Sequence, residues 1–419
     1  LDPFTINNLE LFNTTSSTNK KATLIHVIDK ARTSAGSRLL KKYLKRPLLD
    51  IKKIKSRQKR ISEFIKYPDI RSSVSDILNE VFDIERIISR ISSKKSNPRD
   101  LINLRNSLNN AINIKKVIKK TMPSLYRLVG EFENVSKIIN KINKTIDDDC
   151  PTNTLNGGYI KDGYSKELDS VRKLSNNSKQ WLVDLQNKEQ NNSGIPSLKI
   201  KYNKVFGYYI EVTKTHSDKV PDYFIRKQTL VNAERYFTQE LKDFEDTILS
   251  SNDKLVELEK NILEDLMAYV MLNSKNILNN ASVLSRIDVL LGLSDVALKN
   301  NYCLPDIHDK QEIDLIDSRH PVIEQLLPMD DNFISNDISL NTDFNQIAVI
   351  TGPNMAGKST FLRQIALISI MAQIGSYVPA RKAKLCIIDK VYTRVGASDN
   401  LSEGESTFLV EMNETANIL

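Results

Sequence analysis

Gly352-Pro353-Asn354-Met355-Ala356-Gly357-Lys358-Ser359, followed by Thr360, is the stretch on which the fold turns. It satisfies GxxxxGK[ST] in the setting that pattern requires. The apolar run Gln346 to Thr351 before it reads as a buried strand, and the mostly apolar stretch Thr360 to Ile374 after it reads as a helix. Two glycines let backbone N–H groups turn inward around a phosphate, and the amino terminus of the helix adds partial positive charge. Lys358 is expected to neutralise the β- and γ-phosphates and Ser359 to ligate Mg²⁺, so ATP·Mg²⁺ is the expected ligand. From about residue 300 the chain is therefore expected to be an α/β nucleotide-binding domain.

Phosphoryl transfer also needs an acidic residue at a strand end to hold Mg²⁺ and a group that activates water. Asp389 ends the apolar run Leu385 to Ile388, but it lies soon after the helix and has no following acidic partner, so a structural place at a strand end is its expected role. No better acidic strand is found before Leu419. The domain is read as incomplete, able to bind nucleotide and not to hydrolyse it, with its catalytic residues unidentified.

Upstream of the motif the texture is different. Leu198, Ile200 and Tyr202 alternate with lysines, and Tyr208, Ile210 and Val212 alternate again, which predicts a hairpin turning over Asn203 to Gly207. A helix follows in which Leu241, Ile248, Leu255 and Ile262 recur seven apart, with Phe244 and Leu258 at the second seam position. Ser251 and Asp265 interrupt that seam, so a short coiled-coil arm paired with an earlier helix is expected. The first hundred residues are helical in pattern and basic, and Pro47 closes the helix that carries Lys41, Lys42, Lys45 and Arg46. Leu101, Leu104, Leu108 and Ile112 predict a long helix broken at Met122-Pro123, and the polar, turn-rich stretch Asp147 to Gly163 marks a boundary.

At 419 residues, 40% apolar and 27% charged, the chain is too long for one core and has the composition of a soluble multidomain protein. No apolar run is long enough to span a bilayer, and the start, Leu1-Asp2-Pro3-Phe4, resembles no signal peptide and reads as an internal fragment. Cys150, Cys303 and Cys386 are too scattered for a disulfide framework or a zinc site, which points to a reducing, intracellular compartment. None of His26, His216, His308 and His320 has neighbours at ligand spacing, and His320 is read as structural. The net charge of +8 suits a polyanionic partner, although abundant Lys, Asn and Ile also follow from an AT-rich genome.

Several stretches, in this order, carry a resemblance: YNKVFGYYIEVTK, RKQTLVNAERY, SRHPVIEQ, TGPNMAGKST, IGSYVPA and GASDNLSEGESTFLVEMNETANIL. Together they resemble the MutS mismatch-repair family over essentially the whole chain. The resemblance implies a mainly α-helical core with a coiled-coil lever and a small β-containing clamp, followed by the first part of a P-loop ATPase domain. The expected boundaries are 1–157 for the core and first lever helix, 158–236 for the clamp, 237–300 for the returning lever helices and 301–419 for the truncated ATPase part.

The motif puts Gly352, Pro353, Met355, Ala356, Gly357 and Thr360 in the nucleotide-binding loop, and the resemblance places Asn354, Lys358 and Ser359 on the triphosphate and its Mg²⁺, and Phe333 against the adenine ring. It makes Ser406 a γ-phosphate contact across a dimer, preceded by Glu405, an acid electrostatically awkward beside phosphates. Lys199, Lys201 and Lys204, extended by Arg226, Lys227 and Arg235, would meet the phosphates of double-stranded DNA without reading its sequence. Implied partners are mismatched DNA for the full-length parent, a second copy or a paralogue, and downstream repair factors. The compartment would be cytoplasmic in a bacterium and nuclear or organellar in a eukaryote. The implied activity is ATP hydrolysis that switches the DNA-bound state. The mismatch-reading domain is expected before Leu1. Rival readings are a relative acting on recombination intermediates, a coiled-coil DNA-organising ATPase and a small-molecule kinase. Sequence upstream of Leu1 discriminates the first, the short seam and the hairpin argue against the second, and the third lacks a substrate pocket and lid.

Overall fold

The computed structural model describes residues 1–14, 21–151, 154–155, 157–203, 207–328, 331–353, 356–394, 412 and 415–416, without the side chains of 174–179. Helices come first: α1 (Pro3–Asn8), α2 (Leu24–Ile28), α3 (Ser34–Lys45), α4 (Ile51–Lys66), α5 (Pro68–Asn79), α6 (Ile84–Ser92), α7 (Pro98–Val117), α8 (Pro123–Val129), α9 (Ser136–Thr145) and α10 (Lys166–Ser193). Strands β1 (Lys199–Asn203), β2 (Gly207–Thr213), β3 (Ile225–Thr229) and β4 (Ala233–Phe237) precede α11 (Gln239–Leu272) and α12 (Ser274–Lys299). Then come β5 (Asp306–His308), β6 (Glu312–Ser318), β7 (Asn336–Asn341), α13 (Lys358–Gln373) and β8 (Lys382–Cys386). None of the described helices is long and apolar enough to cross a membrane.

The chain forms two compact units. One comprises Leu1–Arg86, Asn106–Val135 and Lys275–Leu419, the other Ile87–Arg105 and Ser136–Ser274. In the first unit α3 ends at Lys45, one residue before Arg46-Pro47, because proline offers no N–H to continue the ladder. Leu40, Leu44, Ile54, Ile61, Phe64, Val74 and Leu78 are sealed from water. Helix α12 is buried on most sides, as its apolar residues, spread around the helix rather than along one stripe, require. Its one buried acid, Asp288, accepts from the Arg32 amide (2.8 Å), the Thr33 amide (2.9 Å) and the Thr33 hydroxyl (2.7 Å). Burial raises the pKa of that carboxyl, and the three donors oppose the rise.

The expected long helix broken at Met122-Pro123 is three helices. Pro123 begins α8, Gly130 closes it, and α9 starts afresh at Ser136.

A mixed sheet of order β5-β8-β6-β7 completes this unit, with β5 and β8 parallel and the other pairings antiparallel. The run Gln346 to Thr351, expected as a buried strand, is not one. It pairs with no described strand, and Ile347 and Val349 are 81% and 84% exposed. A buried parallel strand needs backbone partners supplied by distant sequence, and among the described residues none lies beside this one.

The second unit contains the predicted hairpin and more. β1 and β2 pair from Lys199↔Glu211 to Asn203↔Gly207, and a second hairpin, β3–β4, extends the sheet to the order β1-β2-β4-β3. Two long helices flank it in sequence and pack against each other. The Lys188–Glu240, Trp181–Phe244 and Arg172–Glu259 pairs descend α10 while ascending α11, so the two helices run antiparallel. The expected arm is therefore present, but its seam changes phase. Leu241 and Ile248 are buried as the sevenfold spacing requires, then burial passes to Glu259, Leu263, Leu266 and Val270, leaving Leu255 and Ile262 half-buried.

Candidate functional site

In the phosphate-loop region, Gly352 has φ +150° and Gly357 has φ +85°. The second value lies in the left-handed region where a Cβ is strained, so glycine is required to swing the chain into α13. The first helical bond runs from the Phe361 amide to the Gly357 carbonyl at 2.9 Å. The amides of Lys358, Ser359 and Thr360 therefore have no intrahelical acceptor, and they lie at the positive end of a 16-residue helix. The Lys358 ammonium is turned back on the loop, donating to the carbonyl oxygens of Gly352 (2.5 Å) and Pro353 (2.7 Å). These are neutral acceptors that phosphate oxygens outcompete. Ser359 is exposed at the helix start. The free amides and the ammonium are donors of the kind that a phosphate group accepts from, and the exposed Ser359 hydroxyl is of the kind that a metal ion takes as a ligand. Asn354 and Met355 lie outside the described residues.

The far end of α13 is fixed to the helical core. Arg57 donates to the Ile374 carbonyl at 2.8 Å, and the Gln373 amide group donates to the carbonyls of Leu48 (3.1 Å) and Ile388 (3.0 Å). Its flank is fixed by the Ser318-Arg319-His320 segment. Gln364 donates to the Ser318 hydroxyl at 2.7 Å, and that hydroxyl donates to the Asn336 carbonyl at 2.6 Å. This chain of bonds ties α13 to the segment that carries Phe333, which is half-buried and in no regular element. Sequence reading gave Gln364 no role, because a lone polar residue in an apolar helix carries no motif.

His320 is structural in the described residues. Its Nδ1 accepts from the amides of Val322 (3.3 Å) and Ile323 (3.2 Å), capping the turn Ile323–Gln325. Burial, reinforced by the Arg363 charge, lowers its pKa from 6.5 to about 4. The neutral ring is thus the folded form, whereas the unfolded chain takes up a proton between pH 6.5 and 4. Stability should be complete above pH 6.5 and fall as pH drops through that window, by about 2 kcal/mol at pH 5. His320→Asn, which keeps an acceptor and does not titrate, should flatten this part of the urea-midpoint profile. An unchanged slope would assign the acid sensitivity elsewhere.

Asp389 is exposed beyond β8, and its carboxylate accepts from the Lys390 amide at 2.9 Å. No group of three or more His, Cys, Asp or Glu capable of holding a metal ion occurs among the described residues. Ser406 and Glu405 lie outside the described residues.

In the second unit, one face of the β1–β4 sheet carries Ile210, Val212 and Tyr236 into a core with Leu185, Leu198, Phe224 and Leu241. Because side chains alternate, the registers put Lys199, Lys201, Tyr209, Glu211 and Arg235 on the opposite face. Glu211 is the one acid in that group. It holds Lys201 at 2.7 Å, which raises the pKa of that ammonium, and lies 3.9 Å from Arg235, whose guanidinium sits over the Tyr209 ring. Lys199 has no ion-pair partner among the described residues.

The expected six-cation track is thus divided. Arg226 lies opposite Tyr236 and is tied to Glu234, on the core-facing side of the sheet. Lys227, at the register shift between Arg226 and Gln228, packs over Phe237. Lys204 lies outside the described residues. Sequence reading missed Tyr209 and Glu211 on the cationic face. The alternation already quoted for β2 contains them, but only the pairing with β1 and β4 shows their neighbours.

Comparison with known proteins gives these two regions a common context. A family profile described as MutS domain III matches residues 4–294, and one described as MutS domain V matches residues 348–419. The chain is 45% identical over 420 aligned residues to a DNA mismatch repair protein MutS of Acetivibrio thermocellus, covering 100% of this chain and 48% of that protein. The MutS proteins of Bacteroides fragilis (46%) and Christiangramia forsetii (44%) align over the same shares of both chains. The chain spans about half the length of these curated relatives. With one profile covering residues 4–294, the β1–β4 sheet included, and the other the glycine-lysine loop, the chain belongs to the MutS family.

Proposed function

We propose that this chain is the DNA-holding and ATP-binding part of a mismatch-repair protein, in which the nucleotide controls how a clamp holds double-stranded DNA. The observation that carries the nucleotide half is the loop at Gly352 to Ser359: a left-handed glycine, three amides without helical partners and an ammonium parked on weak acceptors. Lys358 holds the β- and γ-phosphates, Ser359 is a ligand of Mg²⁺, and Phe333 lies against the base. Bound Mg²⁺ supplies charge neutralisation at the phosphates. Ser406 contacts the nucleotide of a partner subunit, a second copy or a paralogue, and so makes dimerisation part of the site. The relatives' name, DNA mismatch repair protein, supports mismatched DNA as the ligand of the whole protein; hydrolysis of ATP as its reaction rests on the glycine-lysine loop and its resemblance to phosphate-binding loops.

The DNA half rests on the cationic face of the sheet. Lys199, Lys201 and Arg235 meet backbone phosphates, and Tyr209 and Glu211 orient two of them. Coupling follows if ATP and DNA prefer different arrangements of the protein, and it must then be reciprocal.

The test is equilibrium binding to homoduplex and single-mismatch DNA over a salt series, with and without ATP·Mg²⁺. Lys199→Glu together with Lys201→Glu should lower affinity for both duplexes and reduce the slope of log affinity against log salt by about 2, close to one for each lost phosphate contact. An unchanged slope in a folded variant would remove this face from the DNA site. Identical DNA affinities with and without ATP·Mg²⁺ would remove the coupling.

A further inference from the structure

A cavity of about 400 Å³ in the first unit has no residue of the Gly352 to Thr360 loop in its lining, and its walls are cationic. Lys21 and His26 come from the start of the chain, Lys30 and Arg32 from the turn between α2 and α3, and Asp295 and Lys299 from the last turns of α12. We propose that this cavity binds a small phosphorylated anion, of the size of pyrophosphate or a nucleoside phosphate.

The charge balance comes first. Four side chains that are cationic at neutral pH, and one histidine, face a single carboxylate. That carboxylate is already matched: Asp295 lies 2.7 Å from Arg32 and 3.4 Å from Arg71. Lys30 and Lys299 have no ion-pair partner among the described residues. The carboxyl end of α12 would repel an anion, but several of its carbonyls are engaged. Val296 accepts from the Asn300 amide, Ala297 from the Tyr302 amide, and Asn300 from Arg319. The residual potential is positive, and concave walls focus it.

The kind of anion follows from the donors still free. Recognition of a carboxylate favours the planar fork of an arginine. Here that fork is spent, because the Arg32 guanidinium donates to Asp295, to the Ser75 hydroxyl (3.0 Å) and to the Lys30 carbonyl. What remains are the ammonium groups of Lys30 and Lys299, point charges suited to the diffuse charge of phosphate, and the amide group of Gln325 in the lining. Val27, Val296 and Leu326 add an apolar wall against which an organic moiety can lie. The volume is within the range of small-ligand sites, about 300 to 1,000 Å³. A convex duplex would offer such a hollow one phosphate at a time, whereas a short chain of phosphates can enter it. Arg32 is held by four partners and the adjoining Thr33 by Asp288, so one wall is formed before any ligand arrives.

Calorimetric titration of the intact protein with inorganic pyrophosphate tests the assignment, in a Lys358→Ala background that silences the phosphate loop. One equivalent should still bind. Adding Lys30→Glu with Lys299→Glu should weaken it about a hundredfold, since two charge-assisted hydrogen bonds are lost. Both lysines are exposed, so the variants should fold, and Lys299→Gln alone, the milder change, should cost about tenfold. Absence of pyrophosphate binding in the Lys358→Ala background would overturn the proposal, as would binding indifferent to the charge reversal. A parallel titration with duplex DNA separates the two sources of phosphate. Loss of DNA affinity on charge reversal, with pyrophosphate unaffected, would make the hollow part of a DNA track and end the small-anion reading.

Discussion

Lys358→Ala should lower affinity for ATP·Mg²⁺ about a hundredfold, close to 3 kcal/mol, while leaving the fold intact. The ammonium now donates to two backbone carbonyls, at 2.5 and 2.7 Å, on the loop that would cradle the phosphates. Exchanging those neutral acceptors for anionic oxygens is the source of the gain, and alanine forfeits all of it. The variant should not damage the helix, because alanine at the first position of α13 has the highest helix propensity and the parent side chain makes no core contact. A fluorescent ATP analogue read at equilibrium is sufficient. Equal affinity in wild type and variant would mean the loop does not take a triphosphate as proposed, whatever its sequence.

That loop was legible because its requirements are local. Glycine at a left-handed φ, unpaired amides at a helix start and a lysine one residue on are fixed by a handful of consecutive residues. The β1–β2 hairpin was legible for the same reason, since alternation of Ile200 and Tyr202, and of Ile210 and Val212, is a property of each strand alone. What was not legible depended on residues far apart in sequence. The β3–β4 hairpin has one strand, Ile225–Thr229, that is mostly exposed, so no apolar alternation announced it. The division of Arg226 from Arg235 between opposite faces follows from the pairing of Arg226 with Tyr236, the neighbour of Arg235, which is visible only once the strands are paired. The run Gln346 to Thr351 shows the converse. Its residues are those of a buried strand, but composition cannot supply the neighbours that would bury it. The seam of α11 likewise reads as heptads through Leu255 and Ile262 until tertiary packing selects a charged residue, Glu259, for the buried side.

Glu259 is where that departure from pattern should have its largest effect on stability. It is fully buried, and a buried acid on a helix seam is destabilising unless every lone pair is matched. Here one carboxylate oxygen accepts from the Gly158 amide at 2.7 Å and the Tyr159 amide at 3.2 Å, and the other accepts from Arg172 at 2.6 Å. Arg172 in turn reaches the Ile160 carbonyl at 2.7 Å and Asp162 at 2.5 Å. One side chain of α11 therefore holds the first turns of α10 and the turn that leads into it. Glu259→Ala should cost about 3 kcal/mol or more, because it strands a mostly buried guanidinium and two amides as well as removing the pair. Glu259→Gln should cost less, since its carbonyl oxygen still serves an amide, though its NH₂ faces Arg172. Trp181, the only tryptophan, stacks on Phe244 with ring centroids 3.5 Å apart and so reports on the same pair of helices. Urea unfolding followed by its fluorescence should show the midpoint falling in the order wild type, Gln, Ala. If alanine leaves the midpoint where it was, the α10–α11 pair is held by its apolar contacts alone, and the buried acid is an incidental passenger in the seam.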